Sequence, residues 1–421
     1  MMLRIPALRA GEGRALTWSF AYFFCLLAGY YVLRPLRDEM GVAGGVRNLQ
    51  WLFTATFLTM LAAVPVYGAL VARLPRKRFI PLVYHFFVAN LAVFWAFLFF
   101  GIDKVATARV FFIWVSVFNL FAVSVFWSFM ADLFTSEQGK RLFAYIAAGG
   151  SAGALAGPAL TVLLVEQLGT ANLLLVAAAF LELAVLCVSR LESETRKETP
   201  GKTENIGGGV LDGILLALRS PYLLGILLWV SLLSMVATFL YFQQAGIVAA
   251  YSDDPAVRTR IFATVDLVVG FLTLAVQGIA TGKLIERFGV GAAFAFLPLV
   301  FAAGFAALAA APTLAVAVAF TALQRTANFA ISNPAREVMF TVVARDEKYK
   351  AKNVIDVVAV RGADAGGGWI FAWLREIGLE ARSISLVAIP VAAACAILAW
   401  ALGREQERRA ASGAALDGPP R

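Results

Sequence analysis

Gly68-Ala69-Leu70-Val71-Ala72-Arg73-Leu74-Pro75-Arg76-Lys77 and, much later in the chain, Gly278-Ile279-Ala280-Thr281-Gly282-Lys283-Leu284-Ile285-Glu286-Arg287 are two copies of one pattern. In each, a glycine precedes a basic residue by the same spacing, Gly68 to Arg73 and Gly278 to Lys283. Each copy follows the second long apolar run of its half. A charged loop before a glycine-rich fifth run also recurs. It is Ser136-Glu137-Gln138-Gly139-Lys140-Arg141 before Gly149, and Arg345-Asp346-Glu347-Lys348 through Lys352 before Gly362. The chain therefore reads as a six-run unit used twice.

Composition says where such a unit lives. Of 421 residues, 61% are hydrophobic and 15% charged, against about 25% charged in soluble domains; the mean hydropathy is +0.79. Runs of about 20 apolar residues are long enough to cross a bilayer as helices. They fall at 16–32, 49–72, 79–100, 110–130, 142–165 and 171–188, then at 222–248, 261–279, 292–311, 314–338, 354–373 and 384–402. The expected fold is an all-α membrane protein of about twelve transmembrane helices in two six-helix pseudo-repeats. The expected boundaries are 1–189 for the first repeat, 190–219 for a linker with an amphipathic end, 220–403 for the second repeat and 404–421 for a tail. This plan resembles the major facilitator superfamily, whose sites lie near the midplane between the repeats.

The excess of basic residues sets the orientation. Arg73, Arg76, Lys77, Arg78, Lys140, Arg141, Lys283, Arg287, Lys348, Lys350, Lys352 and the arginine-rich tail fall on one side if the N-terminus is cytoplasmic. Both termini are then expected in the cytoplasm of a cell with this chain in its inner membrane. The net charge of +9 needs no nucleic-acid partner to explain it. Cys25, Cys187 and Cys395 lie far apart in apolar runs, with no disulfide framework or metal-ligand spacing. No G-x-x-x-x-G-K-[ST] occurs, which excludes transport driven by the chain's own ATP hydrolysis. Neither a cofactor nor a metal is expected; the expected partners are the lipid bilayer and a small-molecule substrate, with the monomer as the working unit.

Charges inside the apolar runs mark the candidate site, because they are costly in lipid. Tyr30-Tyr31-Val32-Leu33-Arg34-Pro35-Leu36-Arg37-Asp38-Glu39 closes the first run, and Arg34, Arg37 and Asp38 share one helical face. At 1.5 Å rise per residue, Arg325, Arg361 and Asp364 fall near the midplane. They read either as an internal ion pair with one spare arginine or as an anion-binding set balanced by a carboxylate. Gln324, Asn328, Ser332 and Arg336 form a polar stripe on the tenth run, as do Ser124, Ser128 and Asp132 on the fourth. Arg37, Arg325, Asn328, Arg361 and Asp364 are the expected substrate contacts. Arg34, Asp38, Asp132, Asp266, Arg336 and Asp356 are the expected gating or coupling residues. Gly149, Gly153 and Gly157, four apart, and Gly366 with Gly367 are expected to let helices approach closely. The run Gly149-Gly150-Ser151-Ala152-Gly153 also fits the hydrolase pattern G-x-S-x-G, with His85 as the sole histidine. It lies on a continuous membrane helix rather than a strand-turn-helix, so packing is the expected role and no catalytic residue is assigned. His85 and Glu182 stand as candidate proton carriers or structural groups.

Several of these stretches resemble the nucleotide (ATP/ADP) translocase family of intracellular bacteria and plastids, and its shorter relatives in free-living bacteria. They are Leu33-Arg34-Pro35-Leu36-Arg37-Asp38, Phe126-Trp127-Ser128-Phe129, Glu137-Gln138-Gly139-Lys140-Arg141, Ala335-Arg336-Glu337 through Lys352, Ile355-Asp356-Val357-Val358 and Gly366-Gly367-Gly368. The resemblance implies a twelve-helix transporter exchanging nucleotides or related phosphorylated compounds, with Arg37 and Asp38 as the family's basic-acidic pair. Two departures stand out: Val115 lies where energy-parasite members carry a carboxylate, and Asp364 where they carry a lysine. An anion in place of that cation weakens binding of a highly charged triphosphate. The alternatives are a proton-coupled carrier of another amphiphile, with Asp364 and Asp266 titrating, and a membrane-embedded serine hydrolase built on Ser151 and His85.

Overall fold

In lipid a backbone finds no water to bond with, so each apolar run satisfies its N–H and C=O groups within its own helix. The computed structural model describes residues 12–73, 76–194, 220–279, 281–343, 352 and 354–416. Helices and their short connections account for all of these, without a strand. The order is α1 (Glu12–Ala43), α2 (Leu49–Arg73), α3 (Arg76–Phe99), α4 (Lys104–Leu133), α5 (Ser136–Glu194), α6 (Pro221–Tyr251), α7 (Pro255–Ile279) and α8 (Thr281–Ala310). Then come α9 (Leu314–Ala327), α10 (Asn333–Met339), α11 (Val360–Glu376) and α12 (Ala381–Leu416).

Nine stretches among the described residues are long and apolar enough to cross a membrane. One of them, within α5, is broken at Gly169, whose φ of 76° and ψ of 165° are not helical. Only glycine adopts such a backbone without strain. α5 thus has two helical arms, and α2 and the segment from Val354 to the end of α11 are further helices of the described residues. Gly289 breaks α8 in the same way, with φ 80° and ψ 167°. Most of the linker, 195–219, lies outside the described residues, and α12 runs past position 403 to Leu416.

The helices form two compact units. One comprises 1–48, 58–204 and 252–270; the other comprises 49–57, 205–251 and 271–421. In the first, α1 lies along α5 because three glycines leave room. A Cβ on Gly149 would meet the carbonyl of Phe20, one on Gly153 the carbonyl of Phe24 and the amide of Ala28, and one on Gly157 the carbonyl of Ala28. Phe23 stacks on Phe126 of α4 at 4.0 Å, and Tyr22 packs edge-on to the same ring at 4.9 Å. The thiols of Cys25 and Cys187 lie near each other across α1 and α5, a proximity their sequence separation concealed; both are free cysteines.

In the second unit, Trp229 of α6 stacks on Phe294 of α8 at 3.8 Å. Gly291 of α8 meets Gly403 of α12 backbone to backbone. Gly367 and Gly368 of α11 face Met235 and Phe242 of α6, whereas Gly366 is exposed with open space where a Cβ would stand. The close approach thus uses Gly367 and Gly368, because a helix turns its neighbouring positions through about 100° and Gly366 points away.

Candidate functional site

The chain is least regular where polar residues interrupt the tenth run. After α9, residues Asn328–Ser332 form a π turn, closed by the Asn333 N–H donating to the Asn328 carbonyl. Pro334 follows immediately. It has no N–H to give and its ring crowds the carbonyl four residues back, and one wider turn relieves both. A second π turn, Val354–Ala359, leads into α11. Such turns recur at functional sites, where they re-aim side chains.

Between these turns and α6 the second unit has an open cavity of about 300 Å³. The stripe read from sequence, Gln324, Asn328, Ser332 and Arg336, lines it, joined by Trp229 and Ser234 of α6. Among the described residues of the lining, Arg336 is the one that carries a charge. The indole Nε1–H of Trp229 is buried without a hydrogen-bond partner among the described residues. The cavity is therefore polar on one side, aromatic on the other, and positively charged at Arg336.

The other expected contacts are distributed. Arg361 pairs with Asp364 at 3.3 Å on α11, and the Thr238 hydroxyl reaches the other carboxylate oxygen at 3.5 Å. Val360, next to Arg361, belongs to the cavity wall, while Arg325 and Arg361 do not; Arg325 is half-buried beside Gln324. Asp356 sits in the second π turn, its side chain outside the described residues. In the first unit, the Arg37 guanidinium lies over the Phe112 ring at 4.3 Å and 3.8 Å from Asp38. Asp132 is half-buried near the end of α4.

The first unit holds a second polar arrangement. α1 continues well past Val32, where its apolar run ends, to Ala43, because the charges beyond that point are compensated inside the unit. Arg34 faces Asp266 of α7 at 3.9 Å, and Glu39 bonds Arg258 of α7 at 2.8 Å. Glu166 of α5 bonds Arg260 beside them. Sequence reading passed over Glu39, Arg258, Trp229 and Ser234. Nothing in spacing marks a residue whose partner lies on a distant helix.

The two residues of the hydrolase alternative are each engaged elsewhere. The Ser151 hydroxyl donates to its own helix at the Ala147 carbonyl, while the His85 ring contacts the Pro81 carbonyl and Glu182. Ser151→Ala is expected to leave folding and ligand binding unchanged, which a melting curve of the purified variant checks. No group of three or more metal-ligating side chains occurs among the described residues.

Comparison with known proteins bears on the fold and the family. Residues 15–348 match the family model described as Major Facilitator Superfamily. The fold is similar to that of a bacterial homologue of the human lysosomal transporter Spinster in an inward-facing, unoccupied conformation. The TM-score is 0.61 at 15% identity, over 95% of this chain and 99% of that one. A POT family transporter in complex with 5-aminolevulinic acid gives 0.68 at 11% identity, over 93% and 96%. A variant of the nucleoside transporter NupG gives 0.63 at 12% identity, over 93% and 99%. No curated protein matches the sequence.

Proposed function

The chain belongs to the Major Facilitator Superfamily, and on that premise we propose that it is a secondary transporter of an anionic, phosphorylated small metabolite, a nucleotide being the narrowest form of this reading. The observation that supports it is the cavity of the second unit, where the described lining brings the Arg336 guanidinium together with Gln324, Asn328 and Ser332. A guanidinium favours phosphate or carboxylate, which it can grip with two parallel bonds. Gln324, Asn328 and Ser332 supply hydrogen bonds for an uncharged polar portion, and Trp229 supplies an aromatic wall.

On this reading Arg336 is a substrate contact together with Asn328, and Arg37, Arg325 and Arg361 add positive charge along the path, with Asp364 balancing Arg361. The chain works as a monomer in the inner membrane with both termini cytoplasmic, the orientation its basic loops support. Alternating access moves the substrate, with the acids Asp38, Asp132 and Asp266 engaged or released in the cycle.

A thermal-shift screen of the purified chain against ATP, ADP, sugar phosphates, carboxylates and uncharged amphiphiles tests this, since a ligand that binds only the folded state raises the melting temperature. Phosphorylated compounds are expected to stabilise the native chain. Arg336→Ala is expected to weaken that binding by about 2–5 kcal/mol, at least about thirtyfold, while Arg336→Lys retains part of it. Stabilisation by amphiphiles alone, or an undiminished shift in Arg336→Ala, refutes the reading.

A further inference from the structure

Ionisable side chains within a membrane segment almost always face the bundle interior or a water-filled cavity. His85 of α3 and Glu182 of the second arm of α5 do neither. Their side chains are 55% and 45% exposed, among the exposed apolar side chains Leu82, Phe86, Leu183 and Leu186. His85 is nine residues into α3 (Arg76–Phe99), about 13.5 Å along its axis. Glu182 is as far from Thr170 as from Glu194, midway along the second arm of α5. Counted from the ends of the apolar runs 79–100 and 171–188, each lies six residues inside, about 9 Å, so the pair stands within the apolar outer surface of the first unit.

Bond chemistry decides what the pair must contain. The His85 Nδ1 lies 2.7 Å from the Pro81 carbonyl. A carbonyl oxygen only accepts, so Nδ1 carries a proton and donates it. In a neutral ring Nε2 is then a bare acceptor, yet Nε2 faces Glu182 Oε2 at 3.5 Å. With the carboxylate ionised and the ring neutral, two lone pairs would oppose each other and one net negative charge would face apolar surroundings, a costly state. One added proton removes both penalties. On Nε2 it makes an imidazolium against a carboxylate; on Oε2 it makes a carboxylic acid donating to Nε2. Both forms are neutral overall.

We propose that His85 and Glu182 form a single-proton binding site on the apolar outer surface of the first unit, with the proton shared between Nε2 and Oε2. The proton comes from water, and nothing is oxidised or reduced. No other charged group described on the surrounding helices competes for it. Tyr84, next in sequence, is buried with its hydroxyl against that of Tyr22. Between Val110 and Ala131, α4 has no ionisable residue. On α5, Arg190 lies eight residues beyond Glu182, about 12 Å along the helix, and Glu166 is bonded to Arg260. On α1, Glu12 is held by Arg141, Arg34 by Asp266, Arg37 by Asp38 and Glu39 by Arg258, and Arg14 is in the first turn. Arg78 is seven residues before His85 on α3, about 10 Å along the axis.

The sole histidine makes the test direct, because every imidazole signal comes from His85. The full chain is labelled with ¹⁵N-histidine, placed in lipid nanodiscs and examined by NMR at neutral pH. The expected spectrum shows Nδ1 protonated and Nε2 either protonated or strongly hydrogen-bonded. Glu182→Leu, which suits an apolar surface, is expected to turn Nε2 into a bare acceptor; a retained melting temperature confirms its fold, and Glu182→Gln serves if that fold is lost. A bare Nε2 in the native chain, or a ring spectrum indifferent to the loss of the Glu182 carboxyl, overturns the proposal.

Discussion

Glu39→Ala is expected to destabilise the protein by about 3–5 kcal/mol, the cost of leaving one member of a buried ion pair behind. The Glu39 side chain is 1% exposed and that of Arg258 10%, with 2.8 Å between nitrogen and oxygen. Without the carboxylate, the guanidinium keeps, among the described residues, the Ser252 carbonyl at 3.3 Å. It cannot shed its charge, because arginine does not deprotonate in proteins. The control is Glu166→Ala beside it. Glu166 and Arg260 are 54% and 49% exposed, so breaking that pair is expected to cost about 0–1 kcal/mol. Melting curves of both variants in one detergent provide the comparison. Equal losses from the two would show that burial does not set the cost. The exchanged pair Glu39→Arg with Arg258→Glu is expected to recover part of the stability, since it restores opposite charges at one contact.

Gly153→Val is expected to prevent the first unit from assembling. The first side-chain atom would overlap the Phe24 carbonyl and the Ala28 amide, both backbone, so neither can turn aside as a side chain would. Overpacking a well-packed site costs about 1–3 kcal/mol, and here a whole helix must retreat. Without hydrophobic attraction between helices in lipid, close backbone packing is a main source of their association. Loss of monodisperse protein in gel filtration, or a much lowered melting temperature, is the expected result. Gly366→Ala is the matched control, because open space surrounds that position. A native melting curve for Gly153→Val would mean that α1 and α5 do not depend on this contact.

The paired controls mark how far reading the chain alone reaches. Gly153 and Gly366 look alike in sequence, each inside a glycine-rich apolar run. Four-residue spacing puts Gly149, Gly153 and Gly157 on one face, and that face meets α1. Gly366, Gly367 and Gly368 are consecutive, so they point in three directions, and only the neighbouring helix decides which of them matter. The polar stripe from Gln324 to Arg336 was legible for the same reason as the glycine triple. Its helical period places four polar side chains together, and the π turn at Asn328–Ser332 does not separate them from the cavity.

The all-α membrane class and the faces that carry glycine or polar groups were legible in the chain alone. Those properties follow from local physics: apolar length against bilayer thickness, and a helical period of 3.6 residues. Only the tertiary structure decided which charges meet. Glu39 with Arg258, Arg34 with Asp266, and His85 with Glu182 join helices far apart in the chain, and Cys25 and Cys187 lie near each other across two such helices. Coulomb attraction and hydrogen bonding act over a few ångströms of space and leave no period or spacing in a sequence, so these pairings exist only once the helices are packed.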